Sequence, residues 1–180
     1  NLVLGDSGRI DFTRGDREAG QPGADTAPAD IDLVESTSTT EHGGVDHITS
    51  GSGSDLIVGG RHGDTIEAGA GDNLVIGDSG RVTAATEDSA TQPHFAGQPL
   101  TLGRVETMED TDGGSDTIVT LTGYDIVLGG HGGDRITVSL IAEPENQAAL
   151  APDSGNIVLG DTGYIDYDDD LDGGGVNPDD

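Results

Sequence analysis

GGVDHITSGSGSDLIVGGRHGDTIEAGAGDNLVIG, residues Gly43–Gly77, repeats itself on a nine-residue beat. Asp46, Asp55 and Asp64 fall on that beat, and Asn73 continues it. Two positions after each of them stands a β-branched aliphatic, Ile48, Ile57, Ile66 and Val75, and glycines lie just ahead of each. A short fixed period marks a solenoid, in which a unit buries its apolar side only by stacking on its neighbours. No helical period is present; the units read as strands of about three residues between Gly-rich turns. The fold class expected is therefore all-β.

Moving outward, the beat returns at Asp116, Asp125 and Asp134, followed by Ile118, Val127 and Ile136. The three acids stand at one common offset from Asp46, Asp55 and Asp64, so the whole block recurs. The frame breaks at Leu140–Pro152 and resumes at Asn156 with Val158. A larger repeat frames both blocks: NLVLGDSGRIDF (Asn1–Phe12), NLVIGDSGRVTA (Asn73–Ala84) and NIVLGDTGYIDY (Asn156–Tyr167). The interval from Asn73 to Asn156 is longer than that from Asn1 to Asn73, and it is the one that holds the insert. The expected organisation is a module over residues 1–72, a second over 73–155 with its insert at 140–152, and the start of a third over 156–180 with an acidic tail. Thr13–Asp30 and Ala85–Thr101, rich in Pro, Gly, Ala and Thr, read as surface loops. Because the sequence opens inside a repeat, it is expected to be a stretch of a longer array.

Composition narrows the chemistry. The 180 residues include 31 Gly, no Cys, no Trp and no Lys; seven Arg face 35 acids, for a net charge of -28. Of the acids 26 are Asp and 9 Glu, a bias that charge alone does not explain. Asp is short, suits tight turns and brings its carboxylate close to the backbone, which fits hard cations that seek oxygen. Without Cys there are no disulfides and no thiolate metal sites. Without a basic face, nucleic acid is not an expected partner. No stretch approaches the ~20 apolar residues of a membrane helix, so no membrane insertion is expected.

GSGSDLIVG (Gly51–Gly59), GRHGDTIEA (Gly60–Ala68) and GHGGDRITV (Gly130–Val138) carry the pattern G-G-x-G-x-D-x-U-x, a calcium-binding β-helix repeat. Over Gly43–Gly77 and Gly113–Val138 the chain resembles the RTX (repeats-in-toxin) calcium-binding family. The resemblance implies a parallel β-roll or β-helix solenoid with two nine-residue units per coil, calcium as the cofactor in several copies, and secretion from a bacterium. With two units per coil, Asp46 stacks over Asp64 on one edge and Asp55 over Asn73 on the other. Asp116 then stacks over Asp134, and Asp125 pairs with Asn156 across the insert. Neighbouring strands ~4.8 Å apart let an ion with ~2.3–2.6 Å bonds take a carboxylate from each coil, with glycine carbonyls completing the shell. The expected metal ligands are thus Asp46, Asp55, Asp64, Asn73, Asp116, Asp125, Asp134 and Asn156, the Asn positions departing from the pattern. Asp6, Asp78 and Asp161, each in a GD[ST]G turn, are either further ligands or simple turn caps.

Residues flanking the inward aliphatics distinguish the two sheets. HIT, TIE, TIV and RIT (around Ile48, Ile66, Ile118 and Ile136) are polar outside, whereas LVL, LIV, LVI, IVL and IVL (around Val3, Ile57, Val75, Val127 and Val158) are apolar on both faces. Strands of the second kind are normally covered on both sides; here the cover is either the chain's own loops, Thr13–Asp30 and Ala85–Thr101, or another chain. The histidines do not recur in frame, Arg14-Gly15-Asp16 is a chance tripeptide, and the acids of Asp168–Asp172 form a solvated run. No nucleophile motif appears, so no enzyme is expected. The function expected is a calcium-binding structural segment of an extracellular protein, an adhesin stalk, surface layer or filament, partnered by neighbouring copies or modules. It folds on calcium. The alternative is a calcium-dependent secretion domain attached to a toxin or hydrolase, and a third is a carbohydrate-processing module.

Overall fold

A computed structural model of the chain describes residues 1–13, 29–38, 42–85, 93–138 and 155–167. Every regular element in it is a strand, so the chain is all-β. In order these are β1 (Leu2–Leu4), β2 (Gly8–Asp11), β3 (Leu33–Ser36), β4 (His47–Thr49), β5 (Leu56–Val58), β6 (Thr65–Gly69), β7 (Leu74–Ile76), β8 (Gly80–Ala84), β9 (Leu102–Thr107), β10 (Thr117–Thr120), β11 (Ile126–Leu128), β12 (Arg135–Val138), β13 (Ile157–Leu159) and β14 (Tyr164–Asp166). They make three sheets: β1-β5-β7-β11-β13 (first), β12-β10-β6-β4 (second) and β14-β9-β8-β3-β2 (third). The first two are parallel throughout, and the third is antiparallel throughout.

The chain alternates between the parallel sheets, and the nine-residue beat sets the register. Ile48 pairs with Ile66 and Ile57 with Val75, each pair one coil of two units apart. The next neighbours, Ile118 on Ile66 and Val127 on Val75, come much later in the chain, which first leaves through β8 and β9 of the third sheet. Val127 then pairs with Val158, one coil lengthened by the insert Leu140–Pro152. Residues 140–152 lie outside the described residues.

The third sheet is the departure from a purely parallel expectation. Ile10, Val34, Val82, Val105 and Ile165 pair in one row across all five of its strands. Arg9, Glu35, Arg81, Glu106, Arg104 and Asp166 form a chain of ion pairs across the same strands at 2.5–3.1 Å. Charged and β-branched residues in alternation suit a sheet with one wet face.

Two cores result. Between the parallel sheets lie Ile48, Ile57, Ile66, Ala68, Val75, Ile118 and Val127, with Val3 and Ile136 against them. Leu56, Val58, Leu74, Ile76, Ile126 and Leu128 point the other way and pack with Val34, Val82, Val105, Leu102, Phe95 and Leu100. The first sheet is therefore covered on both faces, which its apolar flanks required. Part of the cover does come from Ala85–Thr101, through Phe95 and Leu100, but most comes from strands. Residues 14–28 and 86–92 of the two expected loops, and the acidic tail beyond Tyr167, lie outside the described residues.

Candidate metal centre

Each passage between the parallel sheets makes a turn, and the turns line up in two columns. On the first edge stand Asp46, Asp64, Asp116 and Asp134. On the second stand Asn1, Asp55, Asn73, Asp125 and Asn156. Both columns are held by the same bond, in which a backbone N–H donates to the Oδ1 of the next rung. It runs from Asp46 to Asp64 at 2.8 Å, Asp64 to Asp116 at 2.7 Å and Asp116 to Asp134 at 2.9 Å. On the other edge it runs from Asp55 to Asn73 at 3.1 Å, Asn73 to Asp125 at 3.0 Å and Asp125 to Asn156 at 2.7 Å. The pairs expected from the two-unit coil are thus neighbours.

With Oδ1 engaged, the first edge leaves its Oδ2 atoms over. Those of Asp46, Asp64, Asp116 and Asp134 are buried and accept no hydrogen bond. Each faces a main-chain carbonyl across a glycine. A Cβ placed on Gly59 would overlap Gly77 O and lie 2.6 Å from Asp64 Oδ2; one on Gly77 would overlap both Gly129 O and Asp116 Oδ2. Gly5, with Asp46 Oδ2 and Gly59 O, and Gly129, with Asp134 Oδ2 and Gly160 O, repeat the arrangement. At four successive positions a buried carboxylate oxygen that accepts no hydrogen bond thus lies beside a glycine carbonyl, an arrangement suited to a cation.

Asp6 and Asp78 join this edge from the GDSG turns. Asp6 Oδ2 accepts from Arg61 N at 2.6 Å and its Oδ1 from Gly44 N at 3.0 Å. Asp78 Oδ1 accepts from Gly114 N at 2.8 Å, and its Oδ2 is buried without a donor. Asp78 overlies Gly130 as Asp6 overlies Gly60; those glycines have φ of +106° and +115°, and a Cβ at either would meet the carboxylate at 2.5 Å. Asp161 has the same place in its own GDTG turn, but it is exposed. Among the described residues no three acidic or histidine side chains converge closely enough to hold an ion by themselves, so main-chain oxygens are indispensable to any site here.

Charge is stored on this edge. Burial pushes the Asp64 carboxyl up to about 7, with the neighbouring charges of Asp116, Asp46 and Asp6 adding to it. Asp78 rises to about 8 through burial and the charge of Asp116. Asp116 rises to about 6 through burial and the charge of Asp134. Carboxyls forced to keep protons near neutrality mark a site built for positive charge. On the second edge Asn1 Nδ2 donates to Asp55 Oδ1 at 2.6 Å, while Asp55 Oδ2 is buried and accepts no hydrogen bond. A fixed cation also sits on the first edge and was not legible in the sequence: the buried Arg61 guanidinium donates to Asp112, whose carboxyl it holds low.

A family model of the RTX calcium-binding nonapeptide repeat (4 copies) matches residues 42–75, 49–83 and 110–139. The chain carries RTX calcium-binding repeats. The matched stretches contain Asp46, Asp64, Asp116 and Asp134 and, complete, the two central niches of the first edge. No match to the chain was found among curated proteins or solved structures. RTX nonapeptide repeats bind calcium, and the donor set here fits that ion: hard carboxylate and carbonyl oxygens, glycines that permit close approach, and no sulfur or nitrogen ligand.

Proposed function

We propose that this chain is a calcium-folded structural segment of an extracellular protein, its two parallel sheets forming an RTX β-roll whose modules (residues 1–72, 73–155 and 156 onward) continue one another end to end. The observation that carries this reading is the row of four niches in which Asp46, Asp64, Asp116 and Asp134 each oppose a glycine carbonyl without a donor between them. The ion supplies the positive charge that lets those oxygens stay ionised and in contact. Asp78 and Asp6 lie against the same turns and help to hold it.

Folding and binding are then one event, since the niches exist only when the rungs are stacked. One ion at a hundred times its dissociation constant adds about 2.7 kcal/mol to the folded state, and several ions along one edge add up to a large fraction of an ordinary domain's stability. A segment of this kind is soft where calcium is scarce and rigid where it is abundant, which favours an extracellular role in spacing or adhesion over an enzymatic one. Val158 on the terminal strand β13 is 46% exposed, an open rung of the kind a further module covers. The test is a far-UV circular dichroism titration of the chelator-treated chain with calcium, magnesium serving as control. The β signal is expected to appear with calcium; an unchanged spectrum and melting curve in excess chelator refutes the proposal.

A further inference from the structure

The chain is poor in aromatic residues, with three Tyr, two Phe and no Trp, yet three of them meet in one place. Phe95 from the connection between β8 and β9, Tyr124 from the turn before β11, and Tyr167 just beyond β14 line a cavity of about 110 Å³ with Leu102 and Ile126. The repeat does not require this convergence. Asp125 is in frame with Asp55, so Tyr124 takes the place of Ser54; Tyr167 stands where the two earlier copies have Phe12 and Ala84. Phe95, Leu102 and Ile126 are buried, whereas Asp72, which also lines the cavity, is exposed and marks its mouth. Asp72 Oδ1 accepts from Tyr124 N at 2.8 Å, which fixes the carboxylate beside the aromatic wall and leaves Oδ2 for a guest. His94, also at the mouth, is tied through Nδ1 to the Thr101 hydroxyl at 2.8 Å. The Tyr167 hydroxyl oxygen is buried and makes no hydrogen bond; burial pushes its phenol up, and Tyr124 nearby adds to the rise.

We propose that this cavity between Phe95, Tyr124 and Tyr167 binds a primary alkylammonium group, the head of a partner's lysine side chain or of a soluble amine. Aromatic rings attract a cation through the negative charge of their faces, and apolar walls accept the methylene stem behind it. An ammonium carries three donors, enough for Asp72 Oδ2 at the mouth and for the Tyr167 oxygen, a buried acceptor that is otherwise unmet. A purely apolar guest leaves both oxygens without a donor, and an anion meets Asp72 and a chain of net charge -28. The cavity is smaller than the ~300–1,000 Å³ of sites that enclose a whole small molecule, so it takes a projecting group. The chain has no Lys of its own to fill it. The site lies apart from the acids of the first edge and does not depend on their reading.

With only three tyrosines, two of them in the cavity, their ring-proton NMR signals report on its occupancy. The full chain with calcium present is titrated with n-butylammonium at constant ionic strength, and n-butanol serves as the neutral control. A saturable shift with the ammonium and none with the alcohol is expected. Tyr124→Ser installs the residue of the first module and keeps the net charge, so general attraction of cations is unchanged; it is expected to weaken binding about 2- to 30-fold, read on Tyr167. Asp72→Asn, on an exposed side chain of the same shape, is expected to weaken it up to about fivefold and carries the test should Tyr124→Ser fail to fold. Cadaverine against a Gly-Lys-Gly peptide tells the two sources apart, the tighter of them naming the guest. Shifts that do not saturate, equal binding of n-butanol, or an affinity unmoved in the folded variants overturns the proposal and leaves the calcium reading intact.

Discussion

The two edges of the parallel sheets come from one repeating unit and share one hydrogen-bond ladder, yet one carries an aspartate on every rung and the other alternates asparagine with aspartate. On the first, Asp64 and Asp116 meet glycine carbonyls with buried, undonated oxygens, and their carboxyls rise to about 7 and about 6. On the second, the Asn73 amide donates to carbonyls of its own turn, Gly69 O and Gly71 O. The difference at Asn73 is one atom, nitrogen for oxygen, in side chains of the same shape, while Asp55 keeps a buried Oδ2 that accepts no hydrogen bond, as on the first edge. What it teaches is that backbone geometry makes a position for positive charge at every turn, and the side chain decides whether the chain or the solution supplies it.

Acidity offers the largest effect by which to break the contrast. In the calcium-free folded chain Asp116, Asp64 and Asp78 titrate at about 6, 7 and 8, against 3.8 ordinarily. The folded state holds protons that the unfolded state releases, so stability is greatest below about pH 4 and falls as pH rises through about 8. Each group contributes up to about 1.4 kcal/mol per pH unit in that window, several kcal/mol in all. Chelator-treated protein is therefore expected to keep more β signal by circular dichroism at pH 5 than at pH 8.5, and calcium to reverse the order. Equal spectra at both pH values in the absence of calcium contradict the charge stored on the first edge.

Glycine substitution comes next. Gly59→Ala drives a methyl group into Gly77 O and Asp64 Oδ2, both far inside van der Waals contact. It is expected to cost on the order of 3 kcal/mol and to raise the calcium concentration needed for folding. Gly160→Ala, with nothing within 4 Å of its added Cβ, is expected to change stability by less than about 0.5 kcal/mol. Thermal melts of the pair across a calcium series separate the two; similar shifts in both defeat the close-approach argument.

Asn73→Ala removes an amide that makes three donor bonds and accepts one. A loss of about 2–3 kcal/mol is expected, the same at every calcium concentration because no ion replaces what is lost. A loss that calcium repairs would put metal on the second edge. The smallest effect belongs to the outer face of the third sheet, where Arg81 bridges Glu35 and Glu106 at 2.9 and 3.1 Å. Arg81→Ala is expected to cost under about 1 kcal/mol and to leave calcium binding untouched, as a calorimetric titration checks.

The parallel rungs were legible from Gly43–Gly77 because every unit there buries a single aliphatic and turns on glycine, so the period is the structure. Asp46 over Asp64 and Asp55 over Asn73 follow from that period once the resemblance to the RTX family supplies two units per coil. The third sheet was harder to see. Arg9-Ile10-Asp11, Arg81-Val82-Thr83 and Arg104-Val105-Glu106 do alternate, and that was the available signal, but they are separated by long segments and pair antiparallel across them. Arg61 and Asp112, far apart in the chain yet joined by a hydrogen bond, left no pattern at all.

The sequence by itself determined the all-β class, the need for a cover on the first sheet and the spacing of the acids, since all three follow from which residue types recur at which interval; the coil of two nine-residue units came with the resemblance to the RTX family. Only the tertiary structure decided that strands supply most of the cover, that Asp6 and Asp78 come to the edge of Asp64 and Asp116, and that the Asn73 amide closes on its own turn while buried oxygens of Asp64 and Asp116 meet no donor. Those outcomes depend on which oxygen meets a hydrogen across neighbouring rungs, and a distance between atoms far apart in the chain is not written in its periodicity.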